Sequence, residues 1–125
     1  MPTVDEVLER ARRRLERVTA EQAAAEHAGG AMLVDTRTAE QRASTGEIPG
    51  AICIDRTVLE WRLDPSSPSR IAEAKNKAIR VIVICAEGYS SSLAAASLQD
   101  IGLVNATDVI GGFEAWQAAG LPVAR

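Results

Sequence analysis

Apolar residues recur at Val4, Val7, Leu8, Ala11, Leu15 and Val18, the three-and-four spacing that lines one face of a helix. Glu6 to Arg10 and Glu9 to Arg13 stand four apart, as solvated ion pairs on a helix do. The pattern predicts an amphipathic first helix from residue 4 to about 17, with a stripe that must cover something. Thr19 with Gln22 reads as a capping box opening a second helix through about Glu26, and Gly29-Gly30 closes it. From Ala31 the pattern changes to short apolar runs that alternate with helical ones. Residues 31–35 read as a strand, 38–43 as a short helix, 46–50 as a turn and 51–54 as a second strand. A helical turn at 59–63, a loop at 65–69 and a helix at 71–78 follow. The run 81–85 is a fully apolar strand, 91–101 a helix, 108–110 a last strand, and 112–119 a last helix stopped by Gly120 and Pro122.

Strands alternating with helices predict an α/β domain whose largely parallel sheet is covered on both faces. A length of 125 residues holds one such domain and not two. Composition adds mainly exclusions. At 46% hydrophobic and 25% charged, with a formal charge of -3, the chain has no broad basic footprint for nucleic acid. The arginines of the first helix, interleaved with glutamates, read as a solvated face. No apolar run is long enough for a membrane span or a signal peptide, which leaves the cytoplasm as the expected location. Two cysteines and one histidine without metal-ligand spacing argue against structural zinc. Cys53 sits in an apolar run and is expected to be buried, which argues against a disulfide. His27 is expected at the surface near a helix end.

Candidate chemistry concentrates in Cys85-Ala86-Glu87-Gly88-Tyr89-Ser90-Ser91-Ser92. The cysteine leaves an apolar strand, Gly88 permits a tight loop, and the serines can cap the helix that follows. Backbone N–H groups of such a loop, with the positive end of the helix, favour a thiolate and attract an anion. The competing reading is inert packing, since free cysteines are often buried. Placement at the carboxyl end of a parallel strand, where ligands of α/β sheets bind, favours the reactive reading.

Three further motifs stand around that loop. Leu33-Val34-Asp35-Thr36-Arg37 with Glu40, Gly46-Glu47-Ile48-Pro49-Gly50-Ala51, and Val109-Ile110-Gly111-Gly112-Phe113 through Trp116, Gly120 and Pro122 together resemble the rhodanese-like family of sulfurtransferase domains. In plain physical terms Asp35 and Arg37 fix loops by charge-assisted hydrogen bonds, Gly50 and Gly111 supply unusual backbone angles, and Trp116 belongs to the core. The resemblance implies a three-layer sandwich around a mostly parallel sheet of about five strands. It divides the chain into an N-terminal helical extension, residues 1–18, and a rhodanese-like domain, residues 19–125. The extension either packs on the domain or mediates a homodimer.

The resemblance further implies that Cys85 accepts sulfur from a thiosulfate-like or persulfide donor and passes it to a thiol, with Ala86, Glu87, Gly88, Tyr89, Ser90 and Ser91 binding the substrate. No metal or organic cofactor is implied. The chain departs from the pattern at Ser90, where thiosulfate-using members commonly carry arginine. Glu87 adds a negative charge, so the loop is poorly suited to a dianion. Ser91 stands where related phosphatase-like domains carry arginine, which disfavours phosphate-ester hydrolysis. Arg56 and Arg62 follow the second strand at a distance from the loop that spacing does not fix. Two other readings remain: a rhodanese-like binding or regulatory module that has lost efficient turnover, and a redox sensor with Cys85 capped by small thiols.

Overall fold

Val81, Ile82, Val83 and Ile84 form strand β3 (Val81–Ile84), and each is fully withdrawn from solvent in the computed structural model, which describes all of residues 1–125. A strand buried on both faces requires cover on both, and each such side chain contributes roughly 1.5–3 kcal/mol. β3 lies inside a parallel four-stranded sheet of order β2-β1-β3-β4, where β1 is Met32–Asp35, β2 Ile52–Cys53 and β4 Thr107–Asp108. Asp35 pairs with Ile84 and Val83 with Asp108, so the carboxyl ends of β1, β3 and β4 meet at one edge of the sheet. A single parallel bridge between Val18 and Val109 extends the sheet beyond β4. About five strands were expected; the structure has four and that bridge.

The pleat divides the core. Val34, Val81 and Val83 pack with Leu59 and Leu63 of α4 (Leu59–Leu63) and with Ala94, Ala95 and Leu98 of α5 (Ser90–Asp100). Leu33, Ile82, Ile84 and Val109 face the other way, onto Ala20 and Ala23 of α2 (Ala20–Ala28) and Phe113 and Trp116 of α6 (Gly112–Ala118). Trp116 is core, as expected, and its indole N–H donates to the Pro122 carbonyl at 2.9 Å. The three layers thus follow from strand alternation. No helix is long and apolar enough to cross a membrane.

Helix α1 (Val4–Arg13) starts at a capping box between Thr3 and Glu6 and lies against α5, burying Leu8 and Ala11. It ends about four residues earlier than its periodicity predicts. Leu15 then enters the core and Val18 joins the sheet, so the chain must leave helical geometry to place both. Packing on its own domain is therefore one role this helix fills. Arg14 ties it down through the Asp100 carboxylate at 2.6 Å and the Ala96 carbonyl at 3.3 Å.

Two expectations fail for local reasons. No helix forms over residues 71–78: the Ile71 N–H donates to the Arg62 carbonyl at 2.8 Å, and the Asn76 side chain accepts the Ala78 N–H at 2.8 Å. Such short side-chain bonds favour turns over helix. Cys53 is exposed and not buried, because β2 is a two-residue edge strand whose alternation turns Ile52 inward and Cys53 outward.

Asp35 and Arg37 form a buried ion pair beside the sheet's carboxyl edge. Arg37 Nη2 donates to Asp35 Oδ2 at 2.8 Å and to the Gly46 carbonyl at 2.8 Å, while Nη1 reaches Thr45 Oγ1 at 2.9 Å. The guanidinium also lies 3.7 Å from the centroid of the Phe113 ring. One side chain thereby ties β1 to the end of α3 (Ala39–Thr45) and to α6. Breaking a buried pair from one side costs about 3–5 kcal/mol, because the remaining charge keeps its desolvation penalty without a partner. Arg37→Met is expected to lower unfolding free energy in urea by about that amount, and a loss under about 1 kcal/mol would show the pair to be dispensable.

Candidate functional site

Cys85 follows β3 directly, and residues 86–89 form the loop that leads into α5. The Gly88 N–H donates to Cys85 Sγ at 3.2 Å. Burial pushes the thiol up, but hydrogen bonding at Ser91 and Ser90 and the Ser91 and Gly88 amides outweigh it, and Cys85 is held below the ordinary thiol range. The Ser91 hydroxyl donates to Asp108 Oδ2, which leaves the Gly88 N–H as the hydrogen bond that reaches Sγ. The sequence analysis set a thiolate lined by loop amides against an inert, packed cysteine. The structure keeps the amide lining but leaves Cys85 only 6% exposed.

A hollow of about 380 Å³ adjoins the loop, walled by Arg37, Glu40, Ala86, Phe113, Glu114 and Gln117 among others, and Cys85 is not part of its wall. Glu114 also borders the neighbouring hollow, together with Glu87 and Tyr89. Glu87, Tyr89 and Ser90 are exposed, Gly88 and Ser91 buried, and Ala86 half-buried. The expected substrate-binding residues are thus contiguous in space, but they divide into an outer rim and an inner lining.

The loop is fixed by α6. Phe113 N–H donates to the Cys85 carbonyl at 2.7 Å and Glu114 N–H to the Ala86 carbonyl at 3.0 Å. For those bonds to form the two backbones must nearly touch. A Cβ on Gly112 would lie 2.5 Å from the Cys85 carbonyl oxygen, and one on Gly88 would lie 2.7 Å from the Gly111 nitrogen. Both positions also have positive φ, so glycine is required twice over. Gly50 and Gly111 adopt positive φ as well, in keeping with their expected structural roles.

The serines do not cap α5 as their position suggested. Tyr89 occupies the cap without a side-chain bond, while Ser91 and Ser92 donate to Asp108 Oδ2 at 2.8 and 2.7 Å. Asp108 is fully buried and sits at the carboxyl end of β4. Its counterion is Arg17, through Nε to Oδ1 at 2.8 Å and Nη2 to Oδ2 at 3.2 Å. Arg17 and Arg12 also both donate to the Gly88 carbonyl, at 3.1 and 2.8 Å. Asp108, Arg12 and Arg17 were missed as site residues, and the solvated-face reading of the arginines is wrong for Arg12 and Arg17. The sequence carried no local signal for them: Glu16 stands four residues after Arg12 and Glu21 four after Arg17, the spacing of solvated helix ion pairs, and their burial is set by packing on α5 and β4. Arg56 pairs with Glu60 and Arg62 donates to the Ser69 carbonyl, so both are engaged elsewhere.

The site sits in a recognisable chain. Residues 19–119 match the rhodanese-like domain family. The sequence is 39% identical over 93 residues to the thiosulfate sulfurtransferase GlpE of Actinobacillus succinogenes, covering 74% of this chain and 75% of that one. It is 37% identical over 103 residues to GlpE of Pseudomonas savastanoi pv. phaseolicola, covering 82% and 87%. Among solved structures, a protein of unknown function from Rhodopseudomonas palustris, described as a possible tyrosine phosphatase, superposes with a TM-score of 0.88 at 32% identity over 98% of this chain and 95% of that one. The human single-domain sulfurtransferase TSTD1 gives a TM-score of 0.67 at 26% identity, over 82% and 95%.

The two thiols make an internal comparison. Cys53 is pushed up, chiefly by burial, which Arg42 opposes and Asp35 and Glu47 reinforce. Iodoacetamide reactivity follows the thiolate fraction. Peptide mapping across a pH series is therefore expected to show half-maximal alkylation of Cys85 at lower pH than of Cys53, despite the greater exposure of Cys53. The folded chain holds the Cys85 proton less tightly than the unfolded chain. The resulting stabilisation is present above the unfolded thiol pKa and is lost as pH falls through the folded one. Equal midpoints for the two cysteines would contradict the amide lining.

Proposed function

The chain belongs to the rhodanese-like family, and from that membership we propose that it is a sulfurtransferase that carries sulfane sulfur as a persulfide on Cys85. The observation that supports this most strongly is the Gly88 N–H aimed at a sulfur that ends a core strand. In this reading residues 19–125 are the catalytic domain and residues 1–18 an extension of it.

The reaction is two thiol-exchange steps. The Cys85 thiolate attacks the outer sulfur of a donor, an S–S bond forms, and the donor's S–S bond breaks with its electron pair leaving on the remnant: sulfite from thiosulfate, a thiolate from a persulfide. An acceptor thiolate then attacks the outer sulfur of the Cys85 persulfide, which restores the Cys85 thiolate and releases the acceptor persulfide. Atoms and electrons balance without a further oxidant or reductant. The loop amides that favour the thiolate serve equally for the anion that each step regenerates.

The curated relatives quoted above are named for thiosulfate. In this chain residues 85–92 contain no cation and include Glu87. Glu40, Glu87 and Glu114 stand at the mouth with no ion-pair partner. A dianion approaches such a rim against its charge, so a persulfide or another weakly charged carrier is the better donor. Phosphate-ester hydrolysis lacks support for a related reason. A transferring phosphoryl group needs a fixed cation, and Ser90 and Ser91 supply none.

Intact mass after incubation with a low-molecular-weight persulfide is expected to show a gain of one sulfur, removed by dithiothreitol and absent in Cys85→Ser. A folded wild-type chain that loads no sulfur from persulfide, thiosulfate or mercaptopyruvate would overturn the assignment in favour of a binding module. Ser90→Arg places a cation at the rim and is expected to raise thiosulfate turnover by about tenfold, equivalent to about 1.4 kcal/mol. An unchanged or lower rate in that variant would refute the charge argument.

A further inference from the structure

Two arginines from outside the matched family region converge on one carbonyl of the loop. Arg12 Nη2 and Arg17 Nη2 donate to Gly88 O at 2.8 and 3.1 Å, from the last turn of α1 and the segment that follows it. Each is locked by further contacts. Arg12 Nε donates to Ser92 Oγ at 3.1 Å, with its guanidinium 5.5 Å from the Tyr89 ring centroid, and Arg17 pairs with buried Asp108. Asp108 in turn holds Ser91 and Ser92.

Gly88 is the most permissive residue of the loop and sits at φ +87°. Left alone, its two flanking peptides would sample several orientations. In a trans peptide the C=O and the next N–H point in opposite directions. Two guanidinium groups on that carbonyl therefore fix the Gly88–Tyr89 peptide, directly after the Gly88 N–H that reaches Sγ. We propose that Arg12 and Arg17 are positioning residues for Cys85, clamping the Gly88 carbonyl so that the loop holds the Gly88 amide on the sulfur. The N-terminal extension is then part of the site's machinery. The charged groups facing the loop are Arg12 and Arg17 behind it, Asp108 of β4 beneath Ser91 and Ser92, Glu40 of α3, Glu114 of α6, Arg37 with Asp35, and Glu87 within it.

This inference rests on Cys85 being the reactive sulfur, but its test does not use sulfur transfer. The alternative is that the arginines merely anchor α1. Arg14 separates the two, since it anchors the same helix through Asp100 and Ala96 without touching the loop. The full chain would be prepared as Arg12→Gln, Arg12→Lys, Arg17→Lys and Arg14→Gln, and the pH profile of Cys85 alkylation and the Tm measured for each. Arg12→Gln is expected to move the alkylation midpoint to higher pH and slow the reaction near neutrality by roughly threefold or more. Arg12→Lys and Arg17→Lys, which keep the charge and protect folding but lose the planar fork, are expected to shift it less. Arg14→Gln is expected to lower Tm and leave the midpoint in place. A wild-type midpoint in all the Arg12 and Arg17 variants that fold, or an equal shift in Arg14→Gln, would overturn the proposal. Failure of the wild type to load sulfur, with the Arg12 shift present, would overturn only the persulfide reading.

Discussion

The backbone of residues 85–89 leaves the sheet in the interior of the protein, and buried polar groups without partners are costly, so the groups it carries there must be matched. No single element can satisfy them. Two N–H groups of α6 take the Cys85 and Ala86 carbonyls, two arginines take the Gly88 carbonyl, and the Gly88 N–H is left for the sulfur. The thiol's depressed affinity for its proton follows from that division. A loop whose Cys85, Ala86 and Gly88 carbonyls are occupied from outside keeps the Gly88 amide on the sulfur, and that amide favours an anion.

The supporting structure can be understood as whatever keeps this division in force. Gly88 and Gly112 are indispensable because the loop and α6 meet backbone to backbone, with no space for a Cβ at either position. Asp108 and Asp35 occupy the carboxyl ends of the strands on either side of β3, and each is buried against an arginine. One pair secures the back of the loop through Ser91, Ser92 and Arg17. The other secures its front wall through Arg37, which lies on Phe113 and reaches Gly46. Cys85 thus sits between two desolvated ion pairs, both stiff because breaking either one strands a buried charge.

Much of this was legible in the sequence where the signal is local. Four branched aliphatics before Cys85 announced the central strand, Thr19 and Gln22 formed the capping box they suggested, and Trp116 is core. Features set by distant packing were not legible. Ser91 and Ser92 look like caps to any reader of a single strand–loop–helix unit; only the neighbouring β4 reveals Asp108 as their acceptor. Arg12 and Arg17 share a segment with arginines that are solvated, and their burial depends on α1 lying across α5. The 71–78 segment has helical composition, yet a bond from Ile71 to Arg62 and an Asn76 turn prevail over it. Cys53 sits in an apolar run but at a sheet edge, which sequence order does not reveal.

The central claim is that a specific backbone amide holds the Cys85 anion, and the Gly88 amide resonance reports on it directly. In ¹⁵N–¹H NMR spectra recorded through the thiol titration, the Gly88 amide proton is expected to move downfield as Cys85 ionises, because a thiolate is the stronger acceptor. A Gly88 resonance that stays in place while Cys85 loses its proton would mean that the amide does not serve the sulfur, and the account would fail at its first step.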